Sequence, residues 1–129
     1  MNVLKVAGHR ISNAEVEASA EKHPAVSEAT VIGKPDKVKG ENIVVFVVLK
    51  PGINGDANLQ KDIKNFVRKT LGPIAIPSDV IFVKDIPKNK AGKPARNLIK
   101  AKALGTETGD LSALANPESI DNIPLIIKK

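Results

Sequence analysis

The sequence predicts an α+β domain: a small three-stranded sheet flanked by helices, plus a short N-terminal β-hairpin. Two observations carry this. The run Ile43–Leu49 is wholly apolar and far too short to cross a membrane, so it reads as a strand buried on both faces. Leu59, Ile63, Phe66, Val67 and Thr70 recur at helical spacing and form one stripe. With 129 residues and no cysteine, the chain suits one core held without disulfides or a cysteine-based zinc site, and it fits a reducing cytoplasm.

The elements follow in order. Leu4–Val6 is short and apolar, and "GHR" breaks it. Ser12 and Glu15 have capping-box spacing, which predicts a helix to about Lys22 with Val16 and Ala20 inward. Pro24 stops that helix. A strand is expected from about Val26 to Ile32, then a charged turn, then the central apolar strand. Asn54-Gly55 marks a turn, Asp56 or Asn58 can cap the second helix, and Gly72 ends it. "DVIFVKD" is a third core strand. A last helix runs from about Ala95 to Leu104, with Leu98, Ile99 and Ala103 inward, and stops at Gly105. The remainder reads as a loose tail with a short helix near Pro117. These readings divide the chain into a domain over residues 1–105 and its tail over residues 106–129.

Charge is concentrated in one place. From Lys84 to Lys102 there are seven basic residues and one acid, which equals the net +6 of the whole chain. A balanced domain with one basic edge predicts a localised anionic partner. The centre of that edge is "IPKNKAGKPAR", residues 86–96, with Lys88, Lys90, Lys93 and Arg96 and no acid. A basic nucleic-acid-binding α+β module and a domain docking an acidic protein surface are the rival readings. With three Phe, no Tyr and no Trp, there is little on which bases could stack, and a phosphate-bearing small molecule fits better.

Three stretches, "VLKVAGHRISNAEVE" (3–17), "VIGKPD…GENIVVFVVLK" (31–50) and "IPKNKAGKPAR" (86–96), together resemble the C-terminal lid domain of the AMP-forming, adenylate-forming acyl-CoA synthetases. The tail "GDLSALANP" (109–117) is similar to the end of the acetyl-CoA synthetase branch. The resemblance implies a small mobile domain whose partner is the N-terminal adenylation domain of the same enzyme. It implies a short-chain carboxylic acid as substrate and ATP, CoA and Mg as cofactors, with neither nucleic acid nor membrane as partner. Met1 stands where the family carries its hinge Asp and is expected to be an introduced start.

The resemblance also implies roles for residues. Lys93 would be catalytic in acyl-adenylate formation, and acetylation of it would remove the charge that the reaction uses. Neighbouring lysines would steer the anion. Ala7, Gly8 and Arg10 would serve thioester formation, with Ala7 standing where the family often has Ser. Arg68 would bind the CoA nucleotide phosphate. Glu21, His23 and Val26 would ring a structural magnesium, largely through backbone oxygen.

Overall fold

The computed structural model describes residues 3–126. Strands β1 (Val3–Val6) and β2 (His9–Ser12) lead directly into helix α1 (Asn13–Glu21). Strands β3 (Val26–Asp36) and β4 (Gly40–Leu49) form a long antiparallel ribbon. Helix α2 (Ala57–Leu71), a 3-10 turn at Pro73–Ala75, strand β5 (Asp79–Phe82), helix α3 (Arg96–Leu104) and a second 3-10 turn at Pro117–Asn122 follow. Among the described residues no helix is long and apolar enough to cross a membrane.

The α+β class holds, and the sheet is larger than the sequence suggests. The hairpin and the three core strands make one five-stranded sheet, in the order β2-β1-β4-β3, with β5 parallel to β4. The hairpin joins through the pairing of Val6 with Gly40. The predicted charged turn shortens, because β3 continues through Pro35 to Asp36 before reversing.

β4 is apolar on both faces because both faces are covered. Ile43, Val45 and Val47 turn toward α1 and α2, where Val16, Ala20, Ile63 and Val67 complete one core. Val44 and Phe46 turn the other way, onto Ile86, Ile99, Ala103 and Ile123. The tail is therefore not loose: Ile120 and Ile123 are buried, Ile123 in the second core.

Helix ends follow local chemistry, with one exception. Asp56 caps α2 by accepting from the Leu59 N–H at 2.8 Å. Gly72 closes α2 at φ +98°, and Gly105 closes α3 in the left-handed region. The expected capping box does not form. Ser12 is held as the strand partner of Val3, makes no side-chain cap, and Glu15 stays exposed. Thr70 is also exposed, its hydroxyl turned back onto the Phe66 carbonyl at 2.9 Å.

α1 carries a polar stripe alongside its apolar one. Asn13, Glu17 and Glu21 lie at i, i+4 and i+8, so they share a face. That face meets the outer side of β3. Asn13 Nδ2 donates to the Val31 carbonyl at 3.1 Å. Glu17 Oε2 accepts from Val31 N and from the Thr30 hydroxyl, each at 3.0 Å. Glu21 Oε2 accepts from Ala29 N at 3.2 Å. Three main-chain groups that have no strand neighbour thus find side-chain partners.

Candidate functional site

The basic stretch folds into an ordered turn over residues 89–92, with Lys93 directly after it on the returning arm. Its arms are bridged between Lys88 and Pro94, and Ala95 N donates to the Pro87 carbonyl at 2.9 Å. Asn89 organises the tip. Its carbonyl accepts from Gly92 N at 2.9 Å, and its N–H donates to the Lys93 carbonyl at 2.8 Å. Its side-chain oxygen accepts from Ala91 N at 2.9 Å and Lys93 N at 3.1 Å. Gly92 has φ +83°, and no atom lies near where its Cβ would stand, so backbone conformation alone demands glycine there. Lys93 is exposed beside an open depression of about 330 Å³ that the first turn of α3 also lines.

Most of the basic edge is spent inside the domain. Lys88 pairs with Glu28 at 2.7 Å, Arg96 with Glu17 at 2.5 Å and Lys100 with Glu41 at 3.5 Å. Lys102 donates to the Ile123 carbonyl at 3.0 Å. Of the seven basic residues only Lys84, Lys90 and Lys93 are exposed without an ion pair among the described residues. Of the two lysines before Lys93 in the stretch, Lys88 is a structural tie and Lys90 is exposed. The charge open to a polyanion is correspondingly smaller. Glu17 holds the Arg96 guanidinium above its usual pKa, chiefly through the hydrogen bond, while partial burial opposes the shift.

Two residues that the sequence reading passed over support this turn. Asn89 could have been recognised, since Asn followed three residues later by Gly is a local turn signal. Asn116 contacts the root of the turn from the tail, and its partners lie some thirty positions upstream. No short-range pattern announces it.

The other predicted residues lie elsewhere. Ala7 and Gly8 form the two-residue turn between β1 and β2, both with positive φ, +50° and +83°. Ala7 N donates to the Lys39 carbonyl at 2.8 Å. Arg10 is exposed on β2 opposite Lys5. Arg68 is exposed in the last turn of α2. A crevice of about 150 Å³ has Ala7 on one wall and Pro73–Pro77 on the other, so the β1–β2 turn and the segment following α2 share one end of the domain.

Lys93 does not share that end. Its turn is tied through Lys88 to Glu28, near the start of β3, whereas Ala7 is tied to Lys39, just past the end of β3. From Glu28 to Asp36 is roughly 26 Å of extended chain at 3.3 Å per residue. The structure brings Ala7, Gly8 and the end of α2 together and sets Lys93 apart from them.

The expected magnesium ligands do not form a side-chain cage. His23 is buried, its Nδ1 accepts from Ala25 N at 3.0 Å, and its Nε2 faces Asp62 Oδ2 at 2.6 Å. Because Nδ1 is an acceptor, Nε2 carries the proton and donates to Asp62. Glu21 is turned onto Ala29 N, and the His23 carbonyl already accepts from Val26 N at 3.0 Å. Among the described residues no group of three His, Asp or Glu side chains is placed to hold a metal.

Comparison with known proteins gives the frame for this geometry. The profile of the AMP-binding enzyme C-terminal domain matches residues 15–93, more than half of the chain. The chain belongs to this family. The matched region of the AMP-binding C-terminal domain runs from α1 to Lys93 itself. An acetyl-coenzyme A synthetase of Methanothrix thermoacetophila is 64% identical over 126 residues, covering 98% of this chain and 19% of that one. A 3-hydroxypropionyl-coenzyme A synthetase of Metallosphaera sedula is 45% identical over the same share of each chain. The crystal structure of an acyl-CoA synthetase from Brucella canis is 39% identical with a TM-score of 0.73, over 75% of this chain and 18% of that one. The chain spans about a fifth of the length of the curated relatives it matches.

Proposed function

We propose that this chain is the mobile lid of an AMP-forming acid–CoA ligase and supplies Lys93 to acyl-adenylate formation. The observation that carries the reading is the state of Lys93: exposed, without an ion pair among the described residues, and held by its main chain to Asn89 just after a turn that Asn89 orders. Carboxylate attack on the α-phosphorus of ATP gathers negative charge on the phosphoryl and carboxylate oxygens. A preorganised ammonium stabilises that charge more in the transition state than in the ground state. The group must enter a cleft built by the N-terminal adenylation domain, and a protruding turn suits that task.

Thioester formation with CoA uses the opposite end. The β1–β2 turn offers a main chain with no side chain at Gly8, past which a pantetheine arm can lie. Arg10 and Arg68 are free to meet phosphates. The separation of the two ends explains why one domain must reorient between half-reactions, a gating role. Magnesium accompanies ATP, and no step passes through the Glu21–Val26 region. Acetylation of Lys93 would silence the first half-reaction by removing its charge.

The relatives' names point to a short-chain acid, acetate in one case and 3-hydroxypropionate in another. The acyl pocket lies in the other domain, so the substrate class proposed is a short-chain carboxylic acid. The tail, residues 106–129, belongs to the same lid, and a cysteine-free chain suits the cytoplasm.

The test is Lys93→Ala in the full-length enzyme. One transition-state donor contributes about 2.7–4 kcal/mol, so acid-dependent pyrophosphate exchange should fall at least about a hundredfold. Thioester formation from supplied acyl-adenylate should persist. Exchange at the unmutated rate would remove Lys93 from the reaction.

A further inference from the structure

We infer that Asn116, on the C-terminal segment, is a positioning residue that sets the height and direction of the Lys93 turn. This inference rests on the role proposed above for Lys93. The outgoing arm of the turn is gripped from both sides. Lys88 is bridged to Pro94 on the returning arm, and Asn89 is bridged to Leu114 of the tail.

Asn116 sits where these strands cross. Its Oδ1 accepts from Lys88 N at 2.8 Å. Its Nδ2 donates to Asp85 Oδ2 and to the Ile86 carbonyl, each at 3.0 Å. Next to it, Ala115 N donates to the Lys88 carbonyl at 2.8 Å. Both main-chain groups of Lys88 are thus held by the tail, and its ammonium is held by Glu28. The following residue, Asn89, holds both main-chain groups of Lys93.

The clamp is itself fixed. Ser119 donates to the Asn116 carbonyl through its N–H at 2.9 Å and its hydroxyl at 2.6 Å. Leu114, Ile120 and Ile123 anchor the segment in the interior. A planar amide is the group this position requires, because it presents an acceptor to Lys88 and donors to Asp85 and Ile86 at once. A carboxylate there would accept only, and would face both the Asp85 carboxylate and the Ile86 carbonyl.

The experiment uses the full-length enzyme and reads both half-reactions. Misplacing a reacting group by about 1 Å costs on the order of a hundredfold, so Asn116→Asp should lower the kcat of pyrophosphate exchange by about that factor. The KM for ATP and the rate of thioester formation from supplied acyl-adenylate should stay within about threefold, because neither depends on the Lys93 turn. Adding Asp85→Asn to Asn116→Asp restores a donor–acceptor pair and should recover at least about tenfold in exchange with thioester formation unmoved, a split that repair of a merely structural contact would not show. Asn116→Ala, which adds no charge, should fall in the same direction by a smaller factor. Both half-reactions failing together in Asn116→Asp and Asn116→Ala would overturn the positioning role, as would unchanged exchange or no recovery in the double variant. Lys93→Ala run in parallel separates the two readings. Exchange surviving Lys93→Ala rejects the lysine, whereas exchange lost in Lys93→Ala but intact in Asn116→Asp rejects only the clamp.

Discussion

Arg96→Met tests the largest electrostatic commitment in the domain. Glu17 is a buried carboxylate on α1 that accepts from Thr30 and Val31 of β3 and from two nitrogens of Arg96, at 2.8 and 2.5 Å. Methionine keeps much of the arginine stem and removes the charge. Glu17 would then lack its counter-charge with a side chain only 9% exposed. Breaking one partner of a buried pair costs about 3–5 kcal/mol, and the two surviving bonds from β3 place this case near about 3 kcal/mol. Arg96 itself is 21% exposed, which favours the same end of the range. With a urea slope of about 2 kcal/mol/M, the midpoint should drop by about 1.5 M. The chain has no Trp or Tyr, so far-UV circular dichroism is the assay. Adding Glu17→Gln removes the orphaned charge while keeping an acceptor for Val31 and Thr30. The double variant should recover about 1–2 kcal/mol of the loss. A loss below about 1 kcal/mol for Arg96→Met, or a double variant no more stable than it, would refute the buried-charge argument.

Two further outcomes follow from local geometry. Ala7 occupies the left-handed region at φ +50°, which costs an L-residue about 1–2 kcal/mol, partly offset because glycine loosens the unfolded chain by about 0.4–1 kcal/mol. Ala7→Gly should therefore raise the thermal midpoint modestly, and a lower midpoint in a melt would deny that the turn is strained. Asp36 is held below its usual 3.8, first by the Lys39 N–H, against some desolvation, and then by the Val38 N–H, the Asn42 amide and the Lys39 charge. A depressed folded pKa gives stability that is complete above 3.8 and lost as pH falls through the folded value. Unfolding titrations from about pH 5 to about pH 3 should show a steeper loss for the unmutated chain than for Asp36→Asn, and parallel curves would rule this out.

Local signals were legible and distant ones were not. The apolar run at β4 and the stripe on α2 fixed those elements, because each is a periodicity within one segment. Pairing partners leave no such trace: nothing near Asp79–Phe82 tells that β5 runs parallel to β4. Val16 and Ala20 are readable as inward, but nothing local marks the pairing of Asn13, Glu17 and Glu21 with β3, since their partners lie 8 to 18 residues away. The basic stretch was visible as charge, yet charge alone could not tell the exposed Lys93 from Lys88 and Arg96, whose acids come from β3 and α1. The tail's apolar residues, Ile120 and Ile123, are too sparse to show a period, and Ile123 is explained only by the core that β4 and α3 offer it.

The polar stripe of α1 has a consequence beyond the hydrogen bonds it makes. An open strand edge is a template on which a second molecule can zipper. Here the middle of that border is already occupied by side chains of the chain's own helix, at Ala29 and Val31. An incoming strand would have to displace two carboxylates and an amide before it gained its first rung. That stretch of the β3 edge is closed to strand addition by the fold itself.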